Sequence, residues 1–257
     1  MLGTYSLETL LTDLKNELFN AVAQSIKDDA HIAIAFSGGI DSTLLAQICK
    51  KMGIKVTLLT VGFHGSQDIE FSEVIAQKLA LPHKIKELNR QDFQKKQEYI
   101  YNKVECRNIS HLENCIAFLY IGILAKEVDA VSILTANGCD ELFCGYDRFR
   151  SVYELGSAQI KHLIIEKITN ELHLINEVQI ATSELGIKIK QPFLSEKFRS
   201  FAMHIPIENK IKGCNDLIRK HILREVALSI GVPCDSATRP KKALQYGTLI
   251  HKNFRPM

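Results

Sequence analysis

The sequence predicts an α/β fold, a doubly wound parallel sheet with a helical C-terminal half. Three observations predict it. Short apolar runs alternate with helix-compatible stretches between residues 30 and 153, the first run ends in Ser-Gly-Gly where a helix begins, and beyond Tyr153 helical spacing continues without clear strands. Such alternation implies right-handed βαβ crossovers, with ligand bound beyond the carboxyl ends of the strands.

Leu7, Leu10, Leu11, Leu14, Leu18 and Val22 recur at helical spacing, predicting an amphipathic helix over Ser6 to Lys27 with Ser6 as N-cap and Thr9 close behind. Four apolar runs of strand length follow, His31 to Phe36, Lys55 to Val61, His83 to Leu88 and Ala130 to Thr135. Helices are predicted between them at Ser42 to Met52, Asp68 to Leu79 and His111 to Glu127, each beside a Gly or Pro turn. The second half reads as helices near Ala158 to Glu171, Asn176 to Leu185, Ser195 to His204 and Cys214 to Ile230. No internal repeat, low-complexity tract or linker interrupts the chain. We therefore treat it as one domain with three parts: an N-terminal helix (1–29), an α/β part (30–153) and a helical part with a basic C-terminal loop (154–257).

No apolar stretch approaches the roughly 18 residues of a membrane span, and the opening Met-Leu-Gly-Thr-Tyr-Ser-Leu-Glu lacks the regions of a signal peptide. A cytoplasmic protein with no membrane partner is expected. Cysteines at 49, 106, 115, 139, 144, 214 and 234 form no Cys-x-x-Cys pair and leave an odd one in any disulfide scheme. Reduced, mostly buried thiols are expected, and this spacing argues against a structural zinc clip. The net charge of +3 is unevenly spread, since residues 205–257 hold ten Lys/Arg against four Asp/Glu. Phosphate handling, an RNA-binding face and a plain solvated surface all fit such a segment.

Phe36-Ser-Gly-Gly-Ile-Asp-Ser-Thr43 carries the first chemical signal. A strand ending in Ser-Gly-Gly makes a tight turn whose N–H groups can surround an anion, and the helix that starts there adds the positive end of its dipole. Neither Gly-x-x-x-x-Gly-Lys-Ser/Thr nor Gly-x-Gly-x-x-Gly is present. The second signal is Thr135-Ala-Asn-Gly-Cys-Asp-Glu-Leu-Phe-Cys-Gly-Tyr-Asp-Arg148 after the fourth strand. Carboxylates there and at Asp41, on one sheet edge, suit a hard divalent cation such as Mg²⁺ against phosphate oxygens. Isolated histidines at 64, 83 and 111 read more simply as packed or surface residues, and Cys139 and Cys144 as packing residues.

Ser37-Gly-Gly-Ile-Asp-Ser42 resembles the signature of the PP-loop ATP pyrophosphatases, and Gly138-Cys-Asp-Glu-Leu-Phe-Cys-Gly-Tyr146 resembles the Gly-x-Asp-Glu-Leu-Phe-Gly-Gly-Tyr segment of asparagine synthetases and the related β-lactam synthetases. Four stretches agree in order: Thr60-Val-Gly-Phe-His-Gly-Ser-Gln-Asp68, Gln191-Pro-Phe-Leu194, Lys220-His-Ile-Leu-Arg-Glu225 and Arg239-Pro-Lys-Lys-Ala-Leu-Gln-Tyr-Gly247. The resemblance spans about residues 30–248. It implies an ATP-dependent amide-forming ligase that adenylates a carboxylate, aspartate or a related acid, releases pyrophosphate, and passes the acyl group to ammonia or an amine. It further implies that Ser37, Gly38, Gly39, Asp41 and Ser42 bind pyrophosphate oxygens, with Asp41 and Asp140 on Mg²⁺. Val61, Thr135, Ala136 and Gly138 would frame the nucleoside, Lys241 would stabilise the α-phosphate, and Lys220 would contact the leaving phosphates.

Three departures qualify that picture. Asn137 stands where asparagine synthetases usually carry Glu, and an amide is no base. Lys190-Gln-Pro-Phe-Leu-Ser195 lacks the usual Arg and Asp at its ends. The sequence shows no glutaminase half and no Cys after Met1, so the nitrogen source is left open among free ammonia, an amine and a separate glutaminase subunit. Two other functions stay open, a PP-loop enzyme adenylating a tRNA base and an ATP-binding regulator without acceptor chemistry, as does a homodimer.

Overall fold

Ile-Ala-Ile-Ala, residues 32–35, is the strand on which the architecture is built, because it pairs in parallel with a strand on either side. The computed structural model describes residues 6–27, 29–240 and 243–255. In chain order the elements are α1 (Leu7–Ser25), β1 (Ile32–Ala35), α2 (Ile40–Lys51), β2 (Val56–Gly62), α3 (Gln67–Leu79), β3 (His83–Glu87), α4 (Arg90–Lys103), α5 (Ile109–Glu127) and β4 (Ser132–Leu134). They continue as α6 (Cys139–Leu142), α7 (Arg148–Ser151), α8 (Ser157–Thr182), β5 (Lys188–Lys190), α9 (Glu196–His204), α10 (His221–Ser229), α11 (Cys234–Thr238), α12 (Leu244–Gly247) and α13 (Ile250–Asn253).

The sheet order is β3-β2-β1-β4-β5, with every pairing parallel. The chain winds from β1 outward through β2 and β3, then resumes on the other side at β4. The direction of winding therefore reverses between β1 and β4, and the carboxyl ends of those two strands flank the crevice that open α/β sheets use for ligands.

Strand periodicity sends alternate residues to two cores. Ile32, Ile34, Leu58 and Leu134 join the layer holding Leu14, Leu18, Leu44 and Leu223 of α1, α2 and α10. Ala33, Leu59, Val61 and Ile133 join the layer holding Ile116, Tyr120 and Val178 of α5 and α8. Helix α1 begins at the expected cap, where the Ser6 hydroxyl accepts the Thr9 N–H at 3.1 Å.

The structure adds to or corrects the sequence reading in five places. The helical half contributes an edge strand, β5, whose Lys-Ile-Lys sequence has a single core-facing residue, Ile189, and so lacks a strand's apolar run. One helix, α8, replaces the two predicted between Ala158 and Leu185, because its buried stripe runs unbroken from Ile160 to Ala181. Helix α10 begins at His221 rather than Cys214, because Arg219 and Lys220 adopt left-handed backbone with φ of 51° and 55°. Helix α4 escaped prediction because only Phe93, Gln97 and Ile100 on it are buried. Finally, α5 is long and apolar enough to cross a membrane, contrary to the expectation of no such stretch, yet 72% of its most apolar window is buried inside the fold.

One buried charge shapes the stability of this scaffold. Lys210 is fully buried beyond α9, donates to the Ala202 carbonyl at 2.7 Å and lies 5.9 Å from the centre of the Phe143 ring, without a carboxylate partner among the described residues. Burial pulls its pKa from the ordinary 10.5 to about 8. Between these values the unfolded chain binds more protons than the native one, so the contribution of Lys210 becomes more favourable as pH rises. Melting temperatures of the wild type and Lys210→Met, compared at pH 7.5 and 10, should diverge in favour of the wild type at the higher pH.

Candidate functional site

A cleft of about 470 Å³ opens at the reversal point of the sheet, lined by residues following β1, β2 and β4 together with α5, α8 and α12. Ser37, Asp41, Ser42, Val61, Thr135, Ala136 and Asp140 all reach it. The loop after β1 is shaped by its own hydrogen bonds. The Ser37 N–H donates to Ser42 Oγ at 3.3 Å, the Gly39 N–H to Ser37 Oγ at 3.3 Å, and Thr43 Oγ1 to the Gly38 carbonyl at 2.9 Å. Gly38 has φ of 72°, and a Cβ there would lie 2.9 Å from Phe71, so both conformation and space require glycine.

Asp41, on the first turn of α2, and Asp140, on α6, converge on Lys220. Its ammonium lies 2.6 Å from Asp41 Oδ2 and 2.7 Å from Asp140 Oδ1, with the lysine side chain 1% exposed. Burial disfavours the ammonium, but the Asp140 and Asp41 charges more than offset it and hold the pKa above the ordinary lysine range. Asp41 Oδ1 is buried without a hydrogen-bond partner among the described residues. Two carboxylates converging beside a phosphate-shaped loop, one with an unused oxygen, fit a hard divalent cation.

Lys220 reaches this position from strained backbone. Asp216 accepts the N–H groups of Lys212, Ile218 and Arg219, and Arg224 donates to the carbonyls of Ile218, Arg219 and Ala237. Burial would raise the Asp216 pKa, but the N–H groups of Arg219 and Lys212 and the His221 ring bring it down to about 2. Gly145 leaves the space the pair needs, since a Cβ there would come within 2.0 Å of Asp140 Oδ1 and 2.3 Å of Lys220 Cε.

The C-terminal segment closes the same edge. Arg239 donates to the Ser37 carbonyl at 2.9 Å, reaches Asp68 Oδ1 at 3.2 Å and stacks 4.1 Å over the Phe71 ring. The carbonyls of Gly247 and Thr248 accept from Ser66 Oγ and the Phe63 N–H at 2.9 and 3.0 Å. Lys241 and its neighbour Lys242 lie outside the described residues.

On the other wall, Gly138 has φ of 102° and its N–H donates to Glu141 Oε2 at 3.0 Å, while the Tyr146 hydroxyl donates to Glu141 Oε1. Burial, then the nearby Glu171 and Asp140 charges, push the Glu141 pKa up to about 8. Asn137 accepts from Thr135 Oγ1 and donates to Glu171 Oε1, placing a buried carboxylate from α8 next to the amide. Cys139 and Cys144 are buried, and burial raises both thiol pKa values, that of Cys144 to about 12. Neither suits a nucleophile. His64 is exposed beside Glu87, and His83 donates to Thr60 beneath the loop, with burial lowering its pKa to about 4.

Sequence reasoning missed Glu171, which looks like any polar position within a helical repeat, and underused Asp68 and Arg239, both inside stretches that had drawn notice. Replacing Lys220 with Met would leave two buried carboxylates facing each other and should lower unfolding free energy by about 3–5 kcal/mol in denaturant titrations. Gly145→Ala should destabilise by the same contact while leaving every charge in place.

Residues 13–176 and 158–256 match the family model for asparagine synthase. A Methanocaldococcus jannaschii protein provisionally named a glutamine-hydrolysing asparagine synthetase is 29% identical over 270 residues, covering 91% of this chain and 49% of that protein. The glutamine-hydrolysing asparagine synthetase of Homo sapiens is 26% identical over 259 residues, covering 97% of this chain and 45% of its own length. The chain thus spans about half the length of the curated relatives it matches. A solved structure described as NMN synthetase from Francisella tularensis has a TM-score of 0.49 and 14% identity, covering 95% of this chain and 78% of that one.

Proposed function

The chain belongs to the asparagine synthase family, and from that premise we propose that it is an ATP-dependent ligase that activates a carboxylate, aspartate or a related acid, as its adenylate and transfers the acyl group to ammonia or an amine. The observation that carries this reading is the meeting of the Ser37–Ser42 loop with Asp41, Lys220 and Asp140 at the reversal point of the sheet. A loop lined with N–H groups and hydroxyls suits phosphate oxygens, and the carboxylate pair suits their counter-ion.

The acid oxygen attacks the α-phosphorus, forming the new O–P bond as the bond to pyrophosphate breaks. The Ser37, Gly39 and Ser42 groups would receive the departing charge, and Lys220, expected on the leaving phosphates, would instead hold both aspartates in place, because it is buried between them. Mg²⁺, held by Asp41 and Asp140, would offset negative charge on pyrophosphate. The amine nitrogen then attacks the acyl carbon, the bond to AMP breaks, and the nitrogen must lose a proton. Glu171, lining the cleft and positioned by Asn137, is the carboxylate placed to take it. On this reading the base need not stand at position 137. Lys241 retains its proposed role on the α-phosphate.

Purified protein given Mg-ATP, ammonium and a panel of carboxylates headed by aspartate should form AMP and pyrophosphate in step with the acid. Formation of ADP and phosphate would overturn the reading. ATP binding without turnover on any acid would favour the RNA substrate or the regulator. Asp41→Asn and Asp140→Asn should each reduce turnover by about 10²–10³. Glu171→Gln should slow amide formation while acid-dependent exchange of pyrophosphate into ATP persists; equal loss of both would remove Glu171 from the second step.

A further inference from the structure

Beside the adenylation machinery, three unlike donors converge at the cleft wall, which His111 itself helps to line. His111 Nδ1, on the first turn of α5, lies 2.8 Å from Glu177 Oε2 on α8 and 4.0 Å from Cys106 Sγ in the loop before α5, and all three donor atoms lie within 4.8 Å of one another. His111 is 6% exposed, and its Nε2 is buried without a hydrogen-bond partner among the described residues.

Glu177 holds the His111 ring by a hydrogen bond and also lies within hydrogen-bond reach of the Cys106 thiol, so all three side chains already meet at one point. A nucleophilic relay is excluded on geometry, since it needs the thiol and the carboxylate on opposite ring nitrogens, whereas here both face Nδ1. Convergence of sulfur, nitrogen and oxygen on one point is what a metal ion requires. Tetrahedral zinc, with bonds of about 2.0–2.3 Å, sets its ligand atoms about 3.3–3.6 Å apart. The observed 2.8 and 4.0 Å bracket that range, so small side-chain rotations would close the site. Asn108 supports two of the ligands, donating its N–H to Cys106 Sγ at 3.2 Å and accepting the His111 N–H on its Oδ1 at 3.3 Å. Such outer contacts fix ligand orientation.

We propose that Cys106, His111 and Glu177 form a binding site for a zinc-class divalent metal, with water in the fourth position. The mixed thiolate, imidazole and carboxylate set selects Zn²⁺ or Co²⁺ over Mg²⁺ and Ca²⁺. Cys106 and His111 are five residues apart, a close Cys/His pair that cysteine spacing alone passes over, and only Glu177, 66 residues after His111, is remote; the site therefore departs from the expectation against zinc. The ion would tie the start of α5 to α8, two helices that both line the cleft, through Ser110 and His111 on one and Glu171 on the other. The site stands independently of the ligase reading.

Metal-free protein titrated with Co²⁺ should form a one-to-one complex with a near-ultraviolet sulfur-to-cobalt charge-transfer band, which Zn²⁺ abolishes by displacement. Cys106→Ser should lose the band and weaken zinc binding by more than about tenfold, the lower bound for loss of even an outer partner. Glu177→Gln should weaken binding while keeping the band, and Cys234→Ser, at an exposed cysteine, should change nothing. Circular dichroism would verify that each variant is folded. Absence of a one-to-one complex in the wild type, or a band that survives in folded Cys106→Ser, would overturn the site.

Discussion

The ammonium of Lys220, enclosed between Asp41 and Asp140, is the constraint on which the site depends. Two carboxylates this close repel strongly in a medium of low polarity, and a cation between them converts repulsion into cohesion. The three residues come from α2, α6 and the turn before α10. The lysine therefore fixes the mutual position of both halves of the crevice as well as the charge within it. Two consecutive residues with left-handed backbone, the Asp216 and Arg224 contacts that hold them, and the missing side chain of Gly145 all serve this placement. One net negative charge remains in the triad, and that surplus suits a divalent ion.

The sheet makes such an arrangement reachable. Because winding reverses between β1 and β4, the loops after those neighbouring strands diverge to opposite faces and leave a gap above the sheet edge. The two cores on either face hold β1 and β4 in fixed register. A short loop on a rigid strand carries polar groups with little conformational freedom, which favours binding of a charged ligand.

Much of this was legible in the sequence because local chemistry carried it. The apolar runs of β1, β2 and β4, the Ser6 cap and the Ser-Gly-Gly turn each reflect a rule that operates within a few residues, whereas β3, His-Lys-Ile-Lys-Glu, has one apolar residue and no fully buried one. The pattern failed where tertiary contacts decide. Strand β5 has one core-facing residue and borrows its order from β4, and α4 has too few buried positions to announce itself. Within the site, Asp41 and Asp140 could be paired by motif and by strand order. Glu171 had no local signal, because its importance lies in facing Asn137 across 34 residues of chain. In the Cys106, His111 and Glu177 cluster only Glu177 was hidden in this way, since Cys106 and His111 lie five residues apart.

Arg239 grips the carbonyl of Ser37 from 202 residues further along the chain. During synthesis at about 5–20 residues per second, roughly 10–40 s separates the emergence of these two residues. For that interval the Ser37–Ser42 loop exists without the segment that clamps it, and the α8 and α10 residues that complete the two cores are also still to come. The clamp on this loop is thus acquired late in synthesis, long after the strand that carries the loop has emerged.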